Sequence, residues 1–132
     1  LEDCAKKASE LSAQKITRDN LILLQRAFIN EKGLIADGRD MGTVVFPEAK
    51  FKFFITANQE IRTERRHKEL QNRGQKVNIR DLKMDIINRD KLDRERTLSP
   101  LLPAEDSIII DTSSLSPEEV FHSALNSMDT KK

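Results

Sequence analysis

Residues 33–43 read Gly33-Leu34-Ile35-Ala36-Asp37-Gly38-Arg39-Asp40-Met41-Gly42-Thr43. The reading of this stretch decides the fold. Leu34-Ile35-Ala36 is a short apolar run bounded by glycines, which predicts a buried strand. Charged residues follow it at once. In an open α/β sheet, ligands bind beyond the carboxyl ends of the strands. Asp37 stands at that place, where a carboxylate can hold a magnesium shell. Arg39 can grip a phosphate and Asp40 can accept from a base amino group. Gly38 and Gly42 would let the backbone come close to a ligand. The same spacing also suits a glycine-rich turn that carries surface charges.

Working outward, residues 2–14 read as a helix in which Cys4 is a packing residue. Thr17 is expected to cap a second helix over 18–31, with Leu21, Leu24 and Phe28 on its inner face and Gly33 as its stop. Phe51–Thr56 and Ser107–Ile110, aromatic and β-branched, predict two more strands. Between them, Asn58 caps a helix over 59–72 that Gly74 ends. Ile61 and Leu70 are its apolar positions, so it is expected to lack a core face and to stand in solvent or cover a ligand. Asn78 caps a helix over 79–96 with Leu82 and Ile86 inward. Ser116, Pro117 and Glu119 form a capping box that opens the last helix, whose face is Val120, Ala124 and Met128. The tail after Asp129 is expected to fray. Alternating strands and helices predict a parallel α/β sheet. Three strands make a thin sheet, and parallel sheets need both faces covered. The chain therefore reads as the latter part of a larger α/β domain, and its start at Leu1, inside a helical pattern, predicts a piece of a longer protein.

Composition narrows the function classes. Hydrophobic residues are 37% and charged residues 34%, the balance of one globular domain with a modest core and a charged surface. A net charge of +1 gives no global pull toward nucleic acid or a membrane. The longest apolar runs, Leu21–Leu24 and Ile108–Ile110, are far too short to span a bilayer, and no signal peptide is visible. Cys4 is the single cysteine, which excludes an internal disulfide and fits a reducing cytoplasm. His67 and His122 lie far apart, so no zinc site is expected.

Two more clusters carry chemistry. Arg62, Arg65 and Arg66 lie three to four apart on the helix that lacks a core face, with Arg73 beyond them. Guanidinium groups on one face can neutralise charge spread over a transferring phosphoryl group. The alternative is a solvated helix laced with pairs such as Arg65–Glu69. Arg89, Asp93 and Arg96 fall at i, i+4, i+7, where arginine forks suit a phosphate or a base and the aspartate suits a ribose hydroxyl. An exposed salt-bridge ladder has the same spacing. The chain contains no Gly-x-x-x-x-Gly-Lys-Ser/Thr loop to cradle a triphosphate.

The run from Gly33 to Pro47 resembles the bacterial cytidylate kinases, of the nucleoside monophosphate kinase superfamily. Gln25-Arg26-Ala27-Phe28, Arg89-Asp90 with Asp93 and Arg96, and Leu101-Leu102-Pro103-Ala104 fit as well. The resemblance implies a P-loop nucleoside monophosphate kinase core, a three-layer α/β/α parallel-sheet fold that is incomplete here. Residues 1–132 would be its C-terminal part, with 58–76 as lid segment and 1–32 as helices at the edge of the CMP-binding region. It implies transfer of the γ-phosphoryl of ATP, with Mg2+, to CMP or dCMP, by a monomer when complete, in the cytoplasm, without a membrane or nucleic-acid partner. By motif, Ser9, Arg18 and Asp40 are expected at the cytosine, Arg89 and Asp93 at the ribose, and Arg96 on the base or phosphate side. Arg39 is expected at the phosphate, Asp37 beside the magnesium shell without direct ligation, and Arg62, Arg65 and Arg66 as lid arginines. Lys91, Leu92 and Glu95 depart from the family's frequent Asp, Arg and Asn. Without the loop, these 132 residues by themselves are expected to be inactive. Two other readings are a different small P-loop kinase and a non-catalytic nucleotide- or RNA-binding remnant. The Ala-Asp-Gly-Arg-Asp-Met-Gly-Thr run disfavours the first. The absence of Tyr and Trp, with phenylalanines in expected core segments, disfavours RNA binding.

Overall fold

The computed structural model describes Lys7, Leu11 and residues 14–130. Most of the expected helix over 2–14, together with Cys4 and Ser9, lies outside the described residues.

Two strands form the sheet. Strand β1 is Phe53–Thr56 and β2 is Ile108–Asp111. They pair in parallel, with Phe53 opposite Ile108 and Thr56 opposite Asp111. The ladder runs on at both ends, where Ile108 N–H donates to the Lys52 carbonyl at 2.8 Å and Thr112 N–H to the Thr56 carbonyl at 2.7 Å. Parallel strands need a long crossover, and here it carries helices α2, Gln59–Asn72, and α3, Ile79–Arg94. Helix α1, Lys15–Arg26, precedes the sheet, and α4, Pro117–Asp129, follows it and packs on β2. The α/β class with a parallel sheet is as expected.

Helix starts follow the predicted caps. The Asn58 side chain accepts from Ile61 N–H at 2.9 Å and the Asn78 side chain from Arg80 N–H at 2.9 Å. Both halves of the Ser116–Glu119 capping box form. Gly74, at φ +76°, closes α2 in a Schellman turn: Gln75 N–H reaches the Leu70 carbonyl at 3.0 Å, and Gly74 N–H the Gln71 carbonyl at 2.9 Å. Val120, Ala124 and Met128 are half-buried on one face of α4, as their spacing predicts.

Four expectations need correction. Leu34–Ala36 is not a strand, and Ile35 is 100% exposed. A strand exists only where its ladder groups are paired, and β1 and β2 pair with each other, leaving 34–36 without a partner among the described residues. The described sheet thus has two strands instead of three. Helix α1 starts at Lys15 after Gln14, with no side-chain cap from Thr17, and ends at Arg26. Its inner face is Arg18, Ile22 and Gln25, while Leu21, Leu24 and Phe28 are exposed. The helix over 59–72 does have a packed side: α2 lies on α3 and buries Thr63 and Leu70.

The described core is small: Val45, Leu70, Leu82 and Ile110 are its buried apolar residues. Ile55 and Ile109, which the parallel register directs to opposite sheet faces, are 53% and 61% exposed. Among the described residues no helix is long and apolar enough to cross a membrane.

Candidate functional site

The segment after Ala36 turns through Gly38–Asp40 into a single π-helical turn, Met41–Val45. Its wide ring is visible in Val45 N–H to the Asp40 carbonyl at 3.1 Å and Phe46 N–H to the Met41 carbonyl at 2.7 Å. Such turns are rare and gather at functional sites. Val45 is the most buried side chain described, which anchors the turn. The carbonyls that the turn leaves open, Val44 and Val45, are taken by the Arg26 guanidinium at 3.0 and 2.7 Å. Arg26 sits in the last turn of α1, so one arginine ties α1 to the π-helix. Spacing alone gave it no role. Gly38 does not face open space, since a Cβ there would stand 2.9 Å from the Met41 methyl. Gly42 lies against the Lys52 stem. Lys52 in turn holds the Pro47 carbonyl and the Asp106 carboxylate, with its side chain 8% exposed.

Around this turn the structure gathers several residues that the sequence singles out. Arg18 pairs with Asp40, and both side chains are largely buried. Arg39 donates from Nε to Asp93, and Arg96 from Nη2 to the other Asp93 oxygen at 2.8 Å. Asp93 is 3% exposed, and a buried carboxylate of this kind needs both guanidiniums. Its backbone carbonyl also accepts from Leu101 N–H at 2.8 Å, which folds the segment after α3 back onto the helix. Asp37 is exposed and Arg89 is exposed, neither of them paired with a described residue. Asp93 and Arg96 therefore meet, and Arg89, on the same helical repeat, stays in solvent.

The three α2 arginines differ in what they touch. Arg62 reaches across to α3 and grips Asp90 with both terminal nitrogens, Nη1 at 2.9 Å from Oδ1 and Nη2 on Oδ2. Arg65 turns to the end of β2, donating to the Thr112 hydroxyl at 2.9 Å and to the Thr112 and Leu115 carbonyls at 2.6 and 3.3 Å. Arg66 pairs with Glu69 at 2.7 Å, and Arg73 with the same carboxylate. The Arg65–Glu69 pair suggested by spacing does not form. An open cleft of about 520 Å3 lies between the start of α2 and the end of α3, lined by Asn58, Gln59, Arg62, Asp90, Lys91 and Arg94. Of the three α2 arginines, Arg62 lines it.

Electrostatics match the geometry. The hydrogen-bonded Arg62 fork holds the Asp90 carboxyl below the usual carboxylate range; burial works against this, and the charges of Arg94 and Arg39 add to it. Arg62 is correspondingly shifted up by Asp90. Asp90, which spacing assigned no role, and Asp93 stand one turn apart on α3 and hold guanidiniums from α2, from the Gly38–Asp40 turn and from beyond α3. Among the described residues no cluster of three or more His, Cys, Asp or Glu could hold a metal ion.

Known proteins are similar to this sequence. The profile of the family described as Cytidylate kinase matches residues 1–130. A cytidylate kinase of Shewanella sediminis is 48% identical over 130 residues, 98% of this chain and 56% of that protein. One of Coxiella burnetii is 49% identical over 125 residues, 95% of this chain and 53% of its own length. The chain thus spans about half the length of the curated relatives it matches. With its parallel sheet and its Gly33–Pro47 run, the chain belongs to the cytidylate kinase family.

Proposed function

We propose that the protein to which this chain belongs transfers the γ-phosphoryl group of ATP to CMP or dCMP, giving ADP and CDP or dCDP. The observation that carries this is the meeting of Arg39 from the Gly33–Pro47 run with Asp93 and Arg96 from the arginine-rich run, at one buried carboxylate beside the Arg18–Asp40 pair. In the reaction an oxygen of the CMP phosphate attacks the γ-phosphorus, the bond to the β-bridging oxygen breaks, and ADP leaves. Phosphoryl transfer of this kind is mostly positioning and charge neutralisation.

The chain's own residues supply part of both. Asp40, held by Arg18, accepts from the exocyclic amine of cytosine. Arg39 and Arg96 bind the CMP phosphate, and Asp93 meets the ribose once they turn to it. Arg89, exposed and unpaired, is available to the same nucleotide, and Ser9 is proposed at its base. Arg62 faces the cleft and serves the transferring group, and Arg66, paired with Glu69, is proposed to assist it. Arg65 was expected to share this work, but three hydrogen bonds to the loop after β2 support a bracing role instead. A lone exposed carboxylate, Asp37, fits a magnesium ion held through water and substrate phosphates, as this ion prefers. Magnesium would neutralise charge between the phosphates of ATP. Residues 58–76 form the proposed lid and 1–32 the edge of the CMP-binding region. The protein is proposed to work as a cytoplasmic monomer without nucleic-acid partners.

A coupled assay on the full-length protein tests the reading. ADP release should depend on CMP or dCMP, at roughly 1–100 per second as for kinases generally. ADP release that ignores CMP and follows another acceptor would assign the fold to a different nucleotide kinase.

A further inference from the structure

We infer that Asp90 is a positioning residue, which sets the guanidinium of Arg62 over the cleft between α2 and α3 for phosphoryl transfer. The inference rests on the kinase reading above and adds a residue to it.

The three α2 arginines have different partners, and this narrows the choice. Arg65 is committed to backbone carbonyls after β2 and Arg66 to a carboxylate on its own helix. Arg62 alone reaches over the cleft, and its partner is Asp90. The contact is a two-pronged fork, which fixes the plane of the guanidinium as well as its place. A guanidinium has five N–H donors. Asp90 takes one from each terminal nitrogen, and Nε is buried without a partner. The remaining two are left for a ligand, on a residue that lines the cleft. Among the described residues nothing else hydrogen-bonds the group: with Nε unsatisfied, the orientation of Arg62 depends on Asp90. Asp90 is itself held, on the same helix that carries Asp93 one turn later. The Asp93 carboxylate binds Arg39 and Arg96, the proposed CMP-phosphate ligands. One rigid helix thus sets the spacing between the arginine of the transferring group and those of the acceptor. In-line transfer needs that spacing, since small displacements of positioned groups cost rate steeply.

Kinetics of the full-length protein test this. Asp90→Asn should lower kcat about tenfold or more while KM for CMP stays within about threefold, since the lost orientation acts in the transition state. Arg62→Lys should show the same split, and the double variant should be no worse than the worse single, because both remove one unit. Asp90→Glu, which keeps the charge and the fork, should retain kcat within about threefold. A merely structural role would lower stability and both constants without this non-additivity. Wild-type kcat in Asp90→Asn, or losses that multiply in the double variant, would overturn the inference. If Asp90→Asn does not fold, Arg62→Lys decides alone, and undiminished kcat there overturns it equally. Hydrogen exchange separates this from the kinase reading. Without nucleotide, Asp90→Asn should exchange severalfold faster over 59–66, the Arg62 side of α2. If the wild-type protein shows no CMP-dependent turnover, the kinase reading fails. Unchanged exchange in the variant shows instead that Asp90 does not hold Arg62.

Discussion

Asp40 and Arg18 form the partly buried pair on which base choice is proposed to rest. Uracil would present a carbonyl oxygen to Asp40 where cytosine presents an amine, a mismatch worth about 1–3 kcal/mol, or roughly tenfold to a hundredfold. Asp40→Ala should therefore lower kcat/KM for CMP much more than for UMP in the full-length protein. Arg39→Ala should lower both alike, since a phosphate ligand carries no base information. Asp40→Ala also removes one ion pair of Arg18, and the ratio of the two substrates cancels that general cost. Equal losses on CMP and UMP would make Asp40 a brace for Arg18 only. Asp90 gives a second test, in pH. Its folded pKa is depressed by Arg62, so its contribution is present above the unfolded value, about 3.9, and is lost as pH falls through the folded one. The wild-type advantage over Asp90→Asn, a few tenths to about 1 kcal/mol for a pair this exposed, should hold at neutral pH. It should vanish in acid below the ordinary carboxylate range, as read from denaturant midpoints.

Among the elements, α2 shows how a nearly apolar-free helix is kept in place. Its hydrophobic contribution is Leu70 with half-buried Ile61, and the rest comes from polar ties: Asn58 at its start, Arg65 to the β2 end, Arg62 to α3. Asn58 also receives support from outside, since its backbone N–H donates to the Ser113 hydroxyl at 2.7 Å, itself bonded to Asp111. Motion of the proposed lid should therefore concentrate in 73–78, beyond the Schellman turn, rather than in the helix. Hydrogen exchange without nucleotide should be fast over 73–78 and slower over 61–70, and the reverse order would reject this account. Gly74→Ala should destabilise by about 1–2 kcal/mol, because φ +76° is costly for any residue with a Cβ even though the space there is open. Ser116→Ala, which breaks the capping box, should cost about 1 kcal/mol in thermal or denaturant unfolding.

At the scale of the molecule, the described sheet has two strands and both of its faces carry exposed isoleucine. Parallel sheets are stable when both faces are covered. The curated relatives are nearly twice as long as the matched segment, and the triphosphate-binding loop sequence is absent from these 132 residues. The 132 residues by themselves should show no CMP-dependent ATP turnover, because nothing in them replaces the loop amides and lysine. Turnover near ordinary kinase rates by this piece would refute that.

Local chemistry was legible without coordinates wherever it closed within a few residues. The caps at Asn58, Asn78 and Ser116 and the stop at Gly74 form as their residues predict, because each is decided by neighbours in the chain. The nearness of Asp93 and Arg96 was also readable from helical spacing, but not that Arg39 joins them while Arg89, on the same repeat, stays apart. Leu34–Ala36 was not, because whether an apolar run becomes a strand depends on a ladder partner far away in sequence. The same holds for partner choice among arginines. Arg62, Arg65 and Arg66 are alike in sequence, yet one crosses to Asp90, one braces Thr112 and one stays on its helix. Arg26 at the π-helical carbonyls is invisible to any spacing rule. Tertiary structure alone decides these contacts, since a guanidinium on a long side chain takes whichever acceptor the packed elements bring within its reach.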